Sequence, residues 1–226
     1  MQLMAFLNRM ASYLMDGRLD LCLLSITRKL PKQLAVFNKA VMVRTKKINI
    51  TDELNNSISV KQADPDDINH VISITGWSEE YTIGLQNSKV IFFLASLPEA
   101  EPSGFLALCS GCCYVRGMGF EYNFDADETY WFAILVLPED RRKGLYLKMC
   151  EAVDRYIESN HIRQHYAIIE ITNERSLALH YKMGFRDYLK MTFVKIGPVK
   201  ISLTKEIETG KKTCRIFIKE PEVTII

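Results

Sequence analysis

The chain has 226 residues, 48% of them hydrophobic and 25% charged, with a net charge of +2. This is the composition of an ordinary globular protein with length for a full core and one or two domains, and it argues against a disordered or fibrous chain. No apolar run of about eighteen residues occurs, so a transmembrane helix is not expected. Six cysteines (Cys22, Cys109, Cys112, Cys113, Cys150 and Cys214) are scattered too thinly for a disulfide scaffold. No apolar leader with a cleavage site opens the chain, and a reducing cytoplasm is the expected setting.

The charge is unevenly spread. Residues 1–50 carry nine Lys or Arg against Asp16 and Asp20, a net +7, which leaves −5 for the remainder. Within this basic extension Leu3, Phe6, Leu7, Met10 and Leu14 fall on one helical stripe, which Gly17 breaks. Leu19 to Ile26 begins a second apolar stretch before Pro31, and residues 34–50 end in a strand-like run. A basic amphipathic segment admits peripheral contact with a membrane surface. The plainer reading is a helical arm packed on the acidic main domain or on a second subunit, as in a homodimer, with its lysines solvated. No motif supports nucleic-acid binding.

From residue 57 the elements follow in order. Ser57 to Gln62 reads as a strand, and Asp64-Pro65-Asp66-Asp67 as a helix start with Pro at its first position. That helix runs to about Thr75, and a second covers Ser78 to Leu85. Val90 to Leu97 and Phe105 to Val115 read as strands around a turn at Pro98 to Ser103, and Arg116 to Asp127 as a glycine- and aromatic-rich loop. Glu128 to Leu137 is the next strand. After a helix come a strand at Ala167 to Ile171, a helix from Asn173 and a strand from Phe185 to about Ile196. Two further strand-like runs, Val199 to Leu203 and Thr213 to Lys219, flank Gly210. The expected fold is α/β: a mixed, largely antiparallel sheet with helices on both faces, preceded by a helical extension. The expected divisions are 1–56, 57–204 and 205–226.

The most informative run is Val136-Leu-Pro-Glu-Asp-Arg-Arg-Lys-Gly-Leu-Tyr146. A strand stops at Pro138, a basic turn with Gly144 follows, and Leu145, Met149, Ala152, Val153 and Tyr156 then recur at helical spacing. A strand, a basic turn and a helix N-terminus make an anion site, because unpaired amides and the helix dipole both favour negative charge. Arg141, Arg142 and Lys143 add full charges, and the guest they suit is a phosphate or diphosphate. Neither the P-loop string nor the dinucleotide string G-x-G-x-x-G occurs in this turn. A second motif lies downstream, Asn173-Glu-Arg-Ser-Leu-Ala-Leu-His-Tyr-Lys-Met-Gly-Phe185. Asn173 suits a helix N-cap, Gly184 a helix end, and Asn173, Ser176 and His180 share one helix face.

The two motifs together resemble the GNAT superfamily of N-acetyltransferases, subfamily not identified. The first resembles its acyl-CoA loop, Q/R-x-x-G-x-G/A after V-x-P. The second resembles N-x-x-A/S-x-x-L-Y/H-x-K-x-G-F. The likeness covers roughly residues 58–196. Tyr146 departs from it, standing where the family usually carries Gly or Ala.

The resemblance implies an enzyme that transfers an acyl group, most simply acetyl, from acetyl-CoA directly to a primary amine on a small molecule or peptide. It implies that the strands Glu128–Leu137 and Ala167–Ile171 splay apart, that pantetheine binds the free backbone at Leu135, Val136 and Leu137, and that the diphosphate rests on the amides of Arg142 to Tyr146, including Leu145. Asn173 and Ser176 would lie on the cofactor side. The family's usual acid is a Tyr four residues before the Gly-Phe pair, where this chain has His180; a His there can still donate to sulfur. Tyr181, one step on, lies about 100° around the helix. Glu170, an isolated acid in the apolar strand beside the splay, is a candidate base or an ion-pair partner. The strand centre, Trp131 to Val136, holds no carboxylate, so the amine proton can also leave through water. Other readings keep the fold: a longer acyl or an aminoacyl donor, or a silent CoA-binding sensor or interaction module.

Cys109-Ser-Gly-Cys112-Cys113 lacks the second ligand pair of a zinc site, and no metal is expected. Buried thiols acting as small hydrophobes are expected there. The aromatic residues Phe120, Tyr122, Phe124, Tyr130 and Trp131 suit either core or an acceptor-site wall.

Overall fold

The computed structural model describes residues 18–29, 31, 35–50, 55–86, 90–115 and 120–217. The amphipathic stripe expected at residues 3–14 lies outside them. The described chain divides into two compact units, the larger within residues 42–114 and 121–187, the smaller within 18–41 and 188–217 with residues 115 and 120.

In chain order the elements are α1 (Leu19–Thr27), β1 (Ala35–Thr45), β2 (Ser59–Gln62), α2 (Ile68–Thr75), α3 (Glu79–Gln86), β3 (Val90–Ser96), β4 (Gly104–Cys109), β5 (Cys112–Val115), β6 (Phe120–Asn123) and β7 (Glu128–Val136). They continue with α4 (Leu145–Ser159), β8 (Gln164–Glu170), α5 (Glu174–Lys182), β9 (Arg186–Ile196), β10 (Val199–Glu206) and β11 (Lys212–Phe217).

In the larger unit β2, β3, β4 and β7 pair antiparallel in that order, and β8 joins β7 in parallel. Every residue of β4 is buried, as its unbroken apolar run requires of a strand covered on both faces. A Cβ at Gly104 would stand 3.3 Å from Met149 and 3.4 Å from Leu145, so α4 packs directly on that face. The next side chain, Phe105, points the other way and meets the Trp77 ring, beyond α2, at 5.5 Å. Helices therefore cover both faces of this sheet.

Local signals explain the helix ends. Asp64 caps a 3-10 turn, Pro65–Asp67, that leads into α2: the Asp66 amide donates to its carboxylate, and the Asp64 amide donates to Asp67 in return. Asp67 is buried and pairs with Lys61 at 2.7 Å. Gly76 ends α2 at φ +67°, with its amide on the Ile72 carbonyl. In the smaller unit β9, β10 and β11 form an antiparallel meander, turning near Gly197 and Gly210, both at positive φ.

The structure departs from the sequence reading in three places. The strand expected over Phe105 to Val115 breaks at Ser110–Gly111, where Gly111 at φ +75° turns the chain, and β5 pairs with β6. β6 thus lies within the segment expected to be a loop. The strand expected from Ala167 begins three residues earlier, at Gln164.

Candidate active site

β7 and β8 pair over four residues only: Glu128↔Gln164, Thr129↔His165, Tyr130↔Tyr166 and Trp131↔Ala167. Both strands continue, to Val136 and Glu170, with no further register between them. The parting has a local cause. Ala107 pairs with Ala133 and Leu108 with Trp131, which leaves Phe132 as an extra residue on β7. Such a bulge bends its strand and raises its twist. β7 keeps β4 on one edge while its other edge comes free. Glu128 to Trp131 are buried, whereas Phe132 to Leu137 are all partly exposed. Beneath the paired end, Arg163 joins Asp125, Asp127 and Glu128, and Tyr166 donates to Glu128 at 2.9 Å. The Arg163 guanidinium holds the Asp127 carboxyl below its usual range.

The free edge runs straight into the basic turn. Leu135 and Val136 pair with Phe105 and Gly104 on the β4 side, and the Leu137 amide donates to the Ser103 carbonyl at 2.9 Å. Pro138–Asp140 form a 3-10 turn, Arg142 takes φ +67° and Gly144 φ +96°. Left-handed residues beside others in ordinary conformations turn successive amides into one concavity, which suits an anion. No side chain caps α4, and its first internal bond is Lys148 N–H to Gly144 O at 3.1 Å. The amides of Leu145, Tyr146 and Leu147 at its head have no intrahelical partner and, among the described residues, stand available to an outside acceptor. This donor set fits a diphosphate.

The three cations are not equivalent. Arg141 donates from Nε to the Val136 carbonyl at 3.1 Å, tying the turn to the end of β7. Lys143 pairs with Asp140 at 2.7 Å and holds that carboxyl low. Arg142 is exposed. Tyr146, where the resemblance expects a smaller residue, has a buried hydroxyl, and the Cys150 thiol, one turn on, is its polar neighbour. Burial pushes that thiol up to about 12.

α5 begins at Asn173, whose Oδ1 accepts the Ser176 amide at 3.2 Å. His180, 3% exposed, lies on the same face, with Nδ1 2.8 Å from the Ser176 carbonyl. A carbonyl can only accept, so Nδ1 carries the proton and Nε2 is a bare acceptor in the neutral ring. Nε2 is buried with no partner, and burial holds the ring below the usual imidazole range. The Trp131 and Phe185 rings lie 5.7 and 5.0 Å from it. Tyr181 points away: it is exposed and donates to Asp187 at 2.6 Å, with its hydroxyl pushed up to about 12. Glu170 is exposed, the last residue of β8. Gly184 closes the helix at φ +92°, where a Cβ would stand 2.8 Å from Asn49 Nδ2.

The fold thus brings Leu135 to Tyr146 together at the mouth of the parting strands, and Asn173, Ser176 and His180 onto one face of α5. Sequence reasoning missed His165. It is fully buried and opposite Thr129, and neither ring nitrogen completes a hydrogen bond. Burial holds it down at about 4, only partly offset by the Lys46 backbone. The Thr129 hydroxyl and Trp131 Nε1, on the same face of β7, are buried without partners too. The signal available was the alternation of His165, Ala167 and Ile169.

The aromatic residues separate into two groups. Phe124 stacks on Tyr130 at 5.5 Å and lies 5.2 Å from Tyr166, whereas Trp131 joins His180 and Phe185. The expectation of free buried thiols near Gly111 is corrected: Cys109 and Cys113 form a disulfide. The Gly111 turn reverses the chain and brings their Cα atoms to 6.7 Å, within bridging distance. Among the described residues no group of three or more His, Cys, Asp or Glu is placed to hold a metal ion.

A family model for FR47-like proteins matches residues 121–194, from β6 to near the end of β9. No curated protein matches the chain by sequence. Among solved structures, a Drosophila protein from a structural genomics consortium matches with TM-score 0.53 at 16% identity, over 76% of this chain and 54% of that one. A GNAT-family protein of Novosphingobium aromaticivorans, described as an acetyltransferase, matches with TM-score 0.51 at 11% identity, over 70% of this chain and 63% of that one. A functionally unknown conserved protein of Staphylococcus epidermidis matches with TM-score 0.51 at 9% identity, over 72% and 63%. The chain spans 54% of the first protein's length and 63% of the other two. At these identities the likeness is one of fold.

Proposed function

We propose that this chain is a GNAT-superfamily enzyme, its subfamily open, and an acyl-CoA-dependent N-acyltransferase moving acetyl from acetyl-CoA to a primary amine. One observation carries the reading: the free edge of β7 beyond Trp131 leads directly into an uncapped helix head behind a left-handed turn. An extended amide-bearing chain ending in a diphosphate matches that sequence of donors and acceptors. The backbone of Leu135 to Leu137 would hold the amides through the edge turned away from β4, the Leu137 N–H itself being bound to Ser103, and the amides of Arg142 to Tyr146 would hold the phosphates. The acyl-CoA supplies an activated thioester. The chain's own residues then align an amine, exclude water and handle one proton.

His180 is the proposed proton carrier. With Nδ1 fixed on the Ser176 carbonyl, Nε2 can take a proton from the attacking amine through water and return it to the departing thiolate. Burial disfavours the charged ring, so the proton would be passed on rather than stored. Glu170 at the end of β8 is the alternative base. Tyr181 is the weaker candidate acid, because its hydroxyl is committed to Asp187.

A second reading, a silent CoA-binding sensor or interaction module, is favoured by the same fact that Nε2 is a buried acceptor without a partner. Free-thiol release from acetyl-CoA across a panel of small amines and peptides separates the two. Amine-dependent release supports the transferase. Tight CoA binding with no release above the rate without protein supports the module.

A further inference from the structure

The β9–β10–β11 meander presents an unusual outer face. Its register sets four rows side by side: Ile196 with Val199; Val194 with Ile201 and Ile216; Thr192 with Leu203 and Cys214; and Lys190 with Lys205 and Lys212. Residues directly opposite share a face, and so do those two apart along a strand, so all four rows look the same way. The opposite face is buried at Leu189, Met191, Phe193, Lys200 and Ser202 of β9 and β10, while Thr213 and Arg215 of β11 are exposed on it. The outward rows are nonetheless aliphatic: Ile216 is 67% exposed, Ile196 66%, Leu203 42% and Val199 39%. A sheet with one face in the core ordinarily turns polar residues outward.

The fourth row compounds the anomaly. Lys190, Lys205 and Lys212 are all exposed and directly opposite one another across three strands, an arrangement that like-charge repulsion disfavours. Residues 188–217 as a whole carry seven Lys or Arg against Glu206 and Glu208, a net +5. Aliphatic rows and a lysine row are each unfavourable in water, and both are favoured by one surface: hydrocarbon under a layer of negative headgroups.

We propose that this face is a docking surface for an anionic lipid bilayer, with Ile196, Val199, Leu203 and Ile216 entering the headgroup boundary and the lysine row pairing with phosphates. A second copy is disfavoured, because it would bring a second row of three lysines against the first. A folded acidic partner would suit the lysines, but the face offers it no aromatic anchor. A three-stranded face of about 20 by 10 Å with aliphatic side chains suits a partner that needs no shape complementarity. The inference is independent of the proposed catalysis and extends membrane contact to residues outside the basic N-terminal extension.

Sedimentation of the full chain with vesicles tests it, using phosphatidylcholine alone and an equimolar mixture with phosphatidylglycerol. The expected result is binding to the mixed vesicles only, weakened by added salt. The triple variant Lys190→Gln, Lys205→Gln, Lys212→Gln should bind about 100-fold more weakly, and the double variant Leu203→Ser, Ile216→Ser at least tenfold more weakly. All these positions are exposed, and an unchanged melting temperature confirms that each variant is folded. Binding that is absent, or equal on both vesicles, overturns the proposal. So does binding unchanged in both variants, which would move the contact to the N-terminal extension. Dimerisation in ultracentrifugation that the serine variant abolishes, without vesicle binding, would assign the face to a second copy instead.

Discussion

His180 and His165 are both buried, yet they invite different experiments. If His180 carries the proton, His180→Ala should lower kcat roughly 10–1000-fold while CoA affinity changes little. Tyr181→Phe should leave kcat close to wild type, since the hydroxyl serves Asp187 on an exposed surface. Steady-state kinetics of both variants checks the pair; a dead Tyr181→Phe beside an active His180→Ala would reverse the assignment. His165 should act on stability. Its folded value of about 4 lies below the ordinary 6.5, so the unfolded chain binds the extra proton between those values. The contribution is intact above about 6.5 and is lost as pH falls towards 4, a change of roughly 3 kcal/mol. His180 shifts in the same direction. The urea midpoint should therefore drop between pH 7.5 and pH 5, and His165→Leu should flatten that slope. A slope unchanged in His165→Leu would place the titration elsewhere. The motif made His180 visible in the sequence. His165 was hidden because burial of a polar residue at the start of a strand depends on β7 beside it.

At the scale of elements, the anion turn was legible and the parting of the strands was not. Pro138, Arg141 and Gly144 announce a strand end, a basic turn and a helix start from local chemistry alone. The gap depends on where pairing stops, which the bulge at Phe132 sets through β4, a partner more than twenty residues away in the chain. The same limit hid the break at Ser110–Gly111, because an apolar run reads as one strand until a glycine takes positive φ. Arg141→Ala should weaken CoA binding by about 1–3 kcal/mol, the range for a lost charge-assisted hydrogen bond. Part of that loss would arise from releasing the Val136 carbonyl rather than from phosphate contact. Gly144→Val should do worse, since it obstructs phosphate approach and forces a β-branched residue into φ +96°. Calorimetric affinities of the two variants check this, and unchanged values in both would mean that phosphates bind elsewhere. The Cys109–Cys113 bridge closes a very short loop, so Cys113→Ser should cost about 2 kcal/mol on the loop-entropy model. A denaturation midpoint equal to wild type under oxidising conditions would contradict that.

Across the whole molecule, the fold class and most element positions follow from periodicity, because the helices carry regular apolar stripes and the strands short β-branched runs. Charge distribution was equally legible: the basic first fifty residues stand out in the sequence. The basic, aliphatic face of residues 188–217 did not, since it exists only once three strands are set in register. No helix among the described residues is long and apolar enough to cross a membrane. A strand pair opens and leads into a helix head with amides to spare, and the proposed function requires that an acyl-CoA fill both. Isothermal titration of CoA into the folded chain tests this most directly. The account predicts saturable one-to-one binding that weakens in Gly144→Val. No saturable heat up to millimolar CoA, with circular dichroism showing a folded protein, would contradict it.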